Sequence, residues 1–162
     1  MEIIKATKKD IPLIRDLAEK IWWPTYKSII SEEQIRLMLE NMYSKNALKE
    51  QMKGGIEFII AKNDVEEVAF AGYSISNDET RVLIIHKLYV LPSEQGKGTG
   101  KKLFEYFSKT AQELKVNILE LNVNRANPAL NFYQKMGFEI IETVDIPYYQ
   151  FVLNDYIMRK AL

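Results

Sequence analysis

A mixed α/β fold, of the α+β kind with a central sheet, is predicted by three features of this sequence. Residues 10–52 carry apolar side chains at helical spacing, and residues 56–91 switch to short apolar runs separated by turn residues. From residue 98 onward a helical stretch, a strand, a short helix and two further strands follow one another. The sheet expected is mostly antiparallel, with a strand-helix-strand crossover in its second half.

Glu2 to Ala6 reads as a short edge strand. Ile11, Ile14, Leu17, Ala18 and Ile21 then repeat as one face of a helix over Asp10 to Trp22. Asp10 is placed to cap it, Pro12 is tolerated in its first turn, and Pro24 is expected to end it near Trp23. Ser31-Glu-Glu-Gln34 forms a Ser-x-x-Gln capping box before a second helix carrying Ile35, Leu37, Met38 and Met42. A third short helix spans Asn46 to Met52.

After Gly54-Gly55, Ile56 to Ala61, Glu67 to Ser76 and Arg81 to Leu91 read as an antiparallel meander broken at Lys62-Asn63-Asp64 and Asn77-Asp78. Gly98 to Leu114 is helical again, with Leu103, Phe104, Phe107, Ala111 and Leu114 on one face. Asn117 to Val123 reads as a buried-type strand, and Pro128 to Met136 as a short helix. Phe138 to Val144 and Tyr149 to Met158 close the order. No repeat or low-complexity linker interrupts it, so one domain over residues 1–162 is expected.

Composition narrows the function. Lysine plus arginine and aspartate plus glutamate each total 22, which gives no reason to expect nucleic acid as a partner. The chain has no cysteine and one histidine, His86, so thiolate zinc sites, multi-histidine metal sites, disulfides and a cysteine nucleophile are all excluded. The first residues lack the apolar run of a signal peptide, and no stretch approaches the ~20 apolar residues of a membrane span. A soluble cytoplasmic protein without a membrane partner is expected, as monomer or homodimer.

The segment that carries chemistry is Leu91-Pro-Ser-Glu-Gln-Gly-Lys-Gly-Thr-Gly-Lys-Lys102, where a strand ends and a helix begins. A glycine-rich turn at a helix start lets unpaired backbone N–H groups converge, and together with the positive end of the helix dipole these make an anion site. Gly96, Gly98 and Gly100 leave the approach open, while Lys97, Lys101 and Lys102 add positive charge. It is not a Walker A loop, which needs Lys-Ser or Lys-Thr after its last glycine, nor a dinucleotide fingerprint, whose glycine spacing differs. Alone, it is also compatible with an ordinary flexible turn.

A second segment, Asn127-Pro-Ala-Leu-Asn-Phe-Tyr-Gln-Lys-Met-Gly-Phe138, sets a proline at a helix start, an aromatic pair inside and a glycine stop before a new strand. Together with Leu88-Tyr-Val-Leu-Pro and Gln95-x-x-Gly-x-Gly100, it resembles the GNAT superfamily of N-acetyltransferases, and the resemblance follows the element order along nearly the whole chain. Trp22-x-x-Thr-Tyr26, Glu32-Glu-Gln-Ile35 and the ending Asn154 to Leu162 look similar to the bacterial PaiA-like polyamine acetyltransferases.

The resemblance implies a GNAT-like sheet and acetyl-CoA as co-substrate, with no metal. It assigns Leu88, Tyr89 and Val90 as backbone contacts for the pantetheine arm, and Gln95, Gly96, Lys97, Gly98, Thr99, Gly100 and Lys101 as the pyrophosphate loop. Asn127 corresponds to the motif asparagine that contacts the arm or helix backbone, although it stands one residue closer to Tyr133 than usual. Tyr133 corresponds to the tyrosine that protonates the departing thiolate. A phenol of pKa about 10 is protonated at neutral pH, as that role requires. Packing in the core is the plain alternative for this side chain.

An acceptor ammonium of pKa about 10.4 is neutral in only about one molecule in a few thousand at pH 7, a cost of roughly 4–5 kcal/mol without a route for its proton. His86, two residues before Leu88, is the first candidate base; a hydrogen-bonded structural histidine is the alternative. Trp22, Trp23 and Tyr26, with Tyr148, Tyr149 and Phe151 near the end, either wall an amine pocket or simply pack. The acceptor expected is a small primary amine, polyamine or amino-acid-like compound. A protein N-terminus or lysine, and a non-catalytic acyl-CoA sensor, are the competing readings.

Overall fold

The computed structural model covers Met1–Leu162. Its elements run β1 (Glu2–Lys5), α1 (Ile11–Tyr26), α2 (Glu32–Tyr43), α3 (Lys45–Lys53), β2 (Glu57–Lys62), β3 (Glu67–Ile75) and β4 (Leu83–Val90). They continue with α4 (Thr99–Glu113), β5 (Ile118–Asn124), α5 (Ala129–Lys135), β6 (Glu139–Tyr148) and β7 (Phe151–Ala161). The fold class is the mixed α/β expected: β1–β2, β2–β3, β5–β7 and β6–β7 pair antiparallel, and β4–β5 is parallel. The chain divides into two compact units, Met1–Ser74 with Lys87–Leu103, and Ile75–His86 with Phe104–Leu162.

In the first unit β1 pairs antiparallel with β2, and β2 with β3. The Leu91 N–H donates to the Val68 carbonyl at 2.8 Å, tying the end of β4 to β3. Phe58, Ile59 and Ile60 on β2 and Val68, Ala69 and Phe70 on β3 are fully buried, so both faces of these strands are covered. Each such large aliphatic or aromatic side chain contributes roughly 1.5–3 kcal/mol by leaving water. α1 buries Ile11, Ile14, Leu17, Ala18 and Ile21, the stripe read from the sequence.

Three local expectations are corrected here. Pro24 lies inside α1, which runs on to Tyr26. The proline removes an N–H that would have served the carbonyl of solvent-facing Lys20, at a typical cost of about 3 kcal/mol. The last turn is nevertheless held: the Thr25 hydroxyl donates to the Ile21 carbonyl at 2.7 Å, and Trp22 and Tyr26 are buried with ring centroids 4.6 Å apart. Asp10 does not cap α1 through its side chain; its carboxylate accepts from the Thr7 N–H at 2.8 Å and closes the 3-10 turn Lys8–Asp10. Ser31 does cap α2 by accepting from the Gln34 N–H, but the buried Gln34 amide donates to Met38 Sδ.

In the second unit Leu83–Ile85 of β4 pairs in parallel with Leu119–Leu121 of β5, and β7 lies antiparallel between β5 and β6. α4 buries Phe104, Phe107 and Ala111, whereas Leu114 falls beyond its end and is exposed. β5 is buried on one face. Leu119, Leu121 and Val123 are buried, while Glu120, Asn122 and Asn124 alternate with them as a polar face. The closing strands are longer than read from the sequence, and Tyr149 belongs to their turn, at φ 54.

Candidate active site

The glycine turn has the form its composition demands. Gly96 and Gly98 adopt φ values of 82° and 84°, which L-side chains rarely hold, and a Cβ at either position would enter open space. Gln95, Gly96, Lys97 and Gly98 are exposed, and α4 starts at Thr99. The Lys97 N–H turns back to the Glu94 carbonyl at 3.3 Å and the Lys102 N–H to the Gly98 carbonyl at 3.1 Å. The N–H groups of Gly98, Thr99 and Gly100 take no such internal partner. A run of N–H donors without backbone partners at a helix start suits a doubly charged phosphate group.

Sequence reading passed over the residue that fixes this turn. Glu94 is buried, and its carboxylate accepts from Asn63 Nδ2 at 3.1 Å, from Thr99 Oγ1 at 3.3 Å and from the exposed Lys97 Nζ at 3.5 Å. Asn63 is itself fixed, since its Oδ1 accepts from the N–H groups of Val65 and Glu66 in the turn between β2 and β3. Glu94 thus joins that turn to both ends of the glycine segment. Lys97 spends its charge partly on Glu94. Lys101 and Lys102 are exposed on the first turn of α4.

Leu88, Tyr89 and Val90 are half-buried on β4. The Tyr89 hydroxyl lies 3.1 Å from that of Tyr26, and its ring joins a cluster with Trp22 and Phe70, both at 5.6 Å. Tyr43 completes the cluster, 5.7 Å from Trp22. The three first-helix aromatics are not gathered into one cluster. Trp22 and Tyr26 pack in this cluster, while Trp23 lines a cleft of about 790 Å³ between α1 and α2, with Arg15, Asp16, Glu19 and Glu40. There its indole N–H donates to Glu19 at 3.0 Å, and Arg36 lies 5.5 Å from its ring.

Lys87 was not anticipated. Its Nζ lies 5.2 Å from the Tyr43 ring centroid with no carboxylate in salt-bridge range, and burial lowers its pKa to about 8. The same burial pushes the Tyr43 phenol well above its ordinary value. The local sequence gives no sign of this, because the aromatic ring beside its ammonium comes from α2, distant in the chain.

In the second unit His86 is exposed on β4, one residue past the buried Ile85, so it projects from the opposite face. Tyr133 is buried on α5, its ring 5.9 Å from Phe104 and 6.3 Å from Phe138. Gly137, at φ 97, ends the helix, and the Phe138 N–H returns to the Tyr133 carbonyl at 3.0 Å. Asn127 accepts from the Ala129 N–H through Oδ1 at 3.0 Å, so that atom serves the start of α5.

Residues 54–140 match the family described as Acetyltransferase (GNAT) domain. Spermidine N(1)-acetyltransferase of Thermoplasma acidophilum is 28% identical, over 99% of this chain and 96% of that protein. The crystal structure of PaiA N-acetyltransferase from Thermoplasma acidophilum in complex with coenzyme A superposes with a TM-score of 0.83 at 28% identity, over 99% of this chain and 98% of that one. A GCN5-related N-acetyltransferase from Rhodopseudomonas palustris shares the fold, with a TM-score of 0.84 at 20% identity over 99% and 95% of the two chains.

Proposed function

This chain belongs to the GNAT family of acetyltransferases, and we propose that it transfers the acetyl group of acetyl-CoA to a primary amine of a small molecule, with polyamines the foremost class. The donor half rests on the glycine turn, whose positive-φ residues and free N–H groups fit a pyrophosphate with no side chain in the way. The acceptor half is supported by full-length similarity to a spermidine acetyltransferase.

Acetyl-CoA, when bound, supplies a thioester carbonyl open to attack by a neutral amine. Gln95–Lys101 are assigned to hold its pyrophosphate. Leu88–Val90 are assigned to pair their backbone with the extended pantetheine arm, a form of strand addition. The Val90 N–H is assigned as donor to the negative charge that develops on the carbonyl oxygen. Tyr133 supplies the proton for the leaving sulfur, and His86, exposed on its strand, takes the proton released by the amine.

The test is incubation with acetyl-CoA and a mixed panel of diamines, polyamines, amino acids and peptides, with products read by mass spectrometry. Acetylated small amines are the expected result. Exclusive modification of peptides would overturn the acceptor assignment, and absence of any turnover would favour acyl-CoA sensing.

A further inference from the structure

The last turn of α1 forms against local preference. Pro24 removes one of its N–H groups, yet the helix continues to its final residue, Tyr26. What Tyr26 reaches is β4. Its hydroxyl lies 3.1 Å from that of Tyr89, part-buried, and the two rings meet edge-on with centroids 6.4 Å apart. Trp22, one turn earlier on α1, stands 4.6 Å from Tyr26 and 5.6 Å from Tyr89. Phe70 of β3 lies against Tyr89 at 5.6 Å. A phenol flanked by three rings and tied at its tip has little freedom to turn.

Tyr89 is the middle residue of Leu88–Val90, the stretch assigned to pair with the pantetheine arm. In a strand the side chain stands out of the sheet while the N–H and C=O groups point along it, so a fixed ring fixes the direction of the peptide groups on either side. The same segment is tied to β3 by the Leu91 N–H, which donates to the Val68 carbonyl at 2.8 Å. Strand addition benefits from such rigidity, because backbone groups ordered only on binding would weaken affinity. Packing alone does not call for the hydroxyl pair, since two phenylalanines would fill nearly the same space.

We propose that Tyr26 is a positioning residue for the cofactor strand: its hydroxyl, through that of Tyr89, holds the Leu88–Val90 backbone in the orientation that receives the pantetheine arm. This puts Tyr26 on the donor side of the reaction rather than in the amine pocket. The role rests on the acetyl-CoA reading and adds a residue to it.

The experiment measures binding of coenzyme A, which carries the arm and no acetyl group, by isothermal titration calorimetry on the wild type, Tyr26→Phe, Tyr89→Phe and the double variant. Each single variant keeps its ring and is expected to bind about three- to tenfold more weakly, the range that one hydrogen bond between neutral groups supplies. The double variant is expected to bind no more weakly than either single one, because the two hydroxyls act as one pair. Tyr43→Phe removes the hydroxyl of another buried ring packed on Trp22 and leaves the Tyr26–Tyr89 pair in place, so wild-type affinity is expected there. Losses that add in the double variant, an equal loss in Tyr43→Phe, or wild-type affinity in Tyr26→Phe would each overturn the role. A wild type that binds no coenzyme A would overturn the acetyl-CoA reading and this role with it. The expected pattern of affinities in a chain that acetylates no amine would support the role and remove only the transferase reading.

Discussion

Thr99 Oγ1 donates to Glu94 Oε2 at 3.3 Å, and these two buried polar residues bracket the glycine turn. The bond closes the segment on itself, while Asn63 pins the same carboxylate to the turn between β2 and β3. A loop that binds an anion through backbone N–H groups works only if those groups already point inward, since ordering them on binding would consume affinity.

Glu94→Ala is therefore expected to raise KM for acetyl-CoA about tenfold with little change in kcat. Leaving Asn63 and Thr99 without their acceptor costs on the order of 1–3 kcal/mol. Glu94→Gln, which keeps one acceptor oxygen, should recover part of the loss. Steady-state kinetics on the three proteins decide it: a fall in kcat at constant KM would mean that the carboxylate does something other than shape the loop.

Gly98 and Lys97 separate shape from charge in the same turn. At φ 84, Gly98→Val places a branched side chain in a conformation that costs on the order of 1–3 kcal/mol, and it also covers the donors. Lys97→Ala removes an exposed ammonium that already leans on Glu94 at 3.5 Å. The valine should raise KM for acetyl-CoA at least tenfold and the alanine only a few-fold. Equal effects would show that charge, not backbone geometry, holds the pyrophosphate.

Tyr133→Phe tests the proton donor with little disturbance to packing, because the phenyl ring keeps its contacts with Phe104 and Phe138. Loss of a general acid should lower kcat on the order of a hundredfold or more while KM for acetyl-CoA stays nearly constant. An unchanged kcat would return Tyr133 to the role of a core residue.

The glycine turn, the capped second helix and the α4 stripe were legible because each depends on residues close together in sequence. Glu94 was not, because a carboxylate in a run of Ser-Glu-Gln looks solvated until Asn63, from a distant turn, buries it. Trp22, Trp23 and Tyr26 read as one aromatic group, but helical geometry turns the second away from the other two: Trp23 lines the α1–α2 cleft while its neighbours pack with Tyr89. Pro24 misled for a related reason, since the burial of Trp22 and Tyr26 outweighs a local preference. Asn117 to Val123 reads as a buried-type strand, yet Glu120 and Asn122 alternate with its buried residues as a polar face, because the neighbours that cover one side are set by the tertiary packing.

Lys87 gives a prediction about stability whose sign can be worked out. Its pKa is about 8 in the folded chain against 10.5 for the free side chain. Below pH 8 both folded and unfolded chains carry the proton, and the folded one bears the full cost of holding an ammonium among Tyr43 and its neighbours. Between pH 8 and 10.5 the folded chain gives up the proton first, so the unfolded state binds more protons and stability contributed by this group rises with pH. Lys87→Met keeps the length and removes the charge. It should stabilise the protein at pH 7 by on the order of 1–3 kcal/mol, the range allowing for partial solvent screening and the lost contact with the Tyr43 ring. That gain should shrink steadily from pH 8 towards pH 10.5. Urea unfolding of both proteins at pH 7 and pH 10 measures it. Two curves displaced equally at both pH values would show that Lys87 holds its proton as an ordinary lysine does.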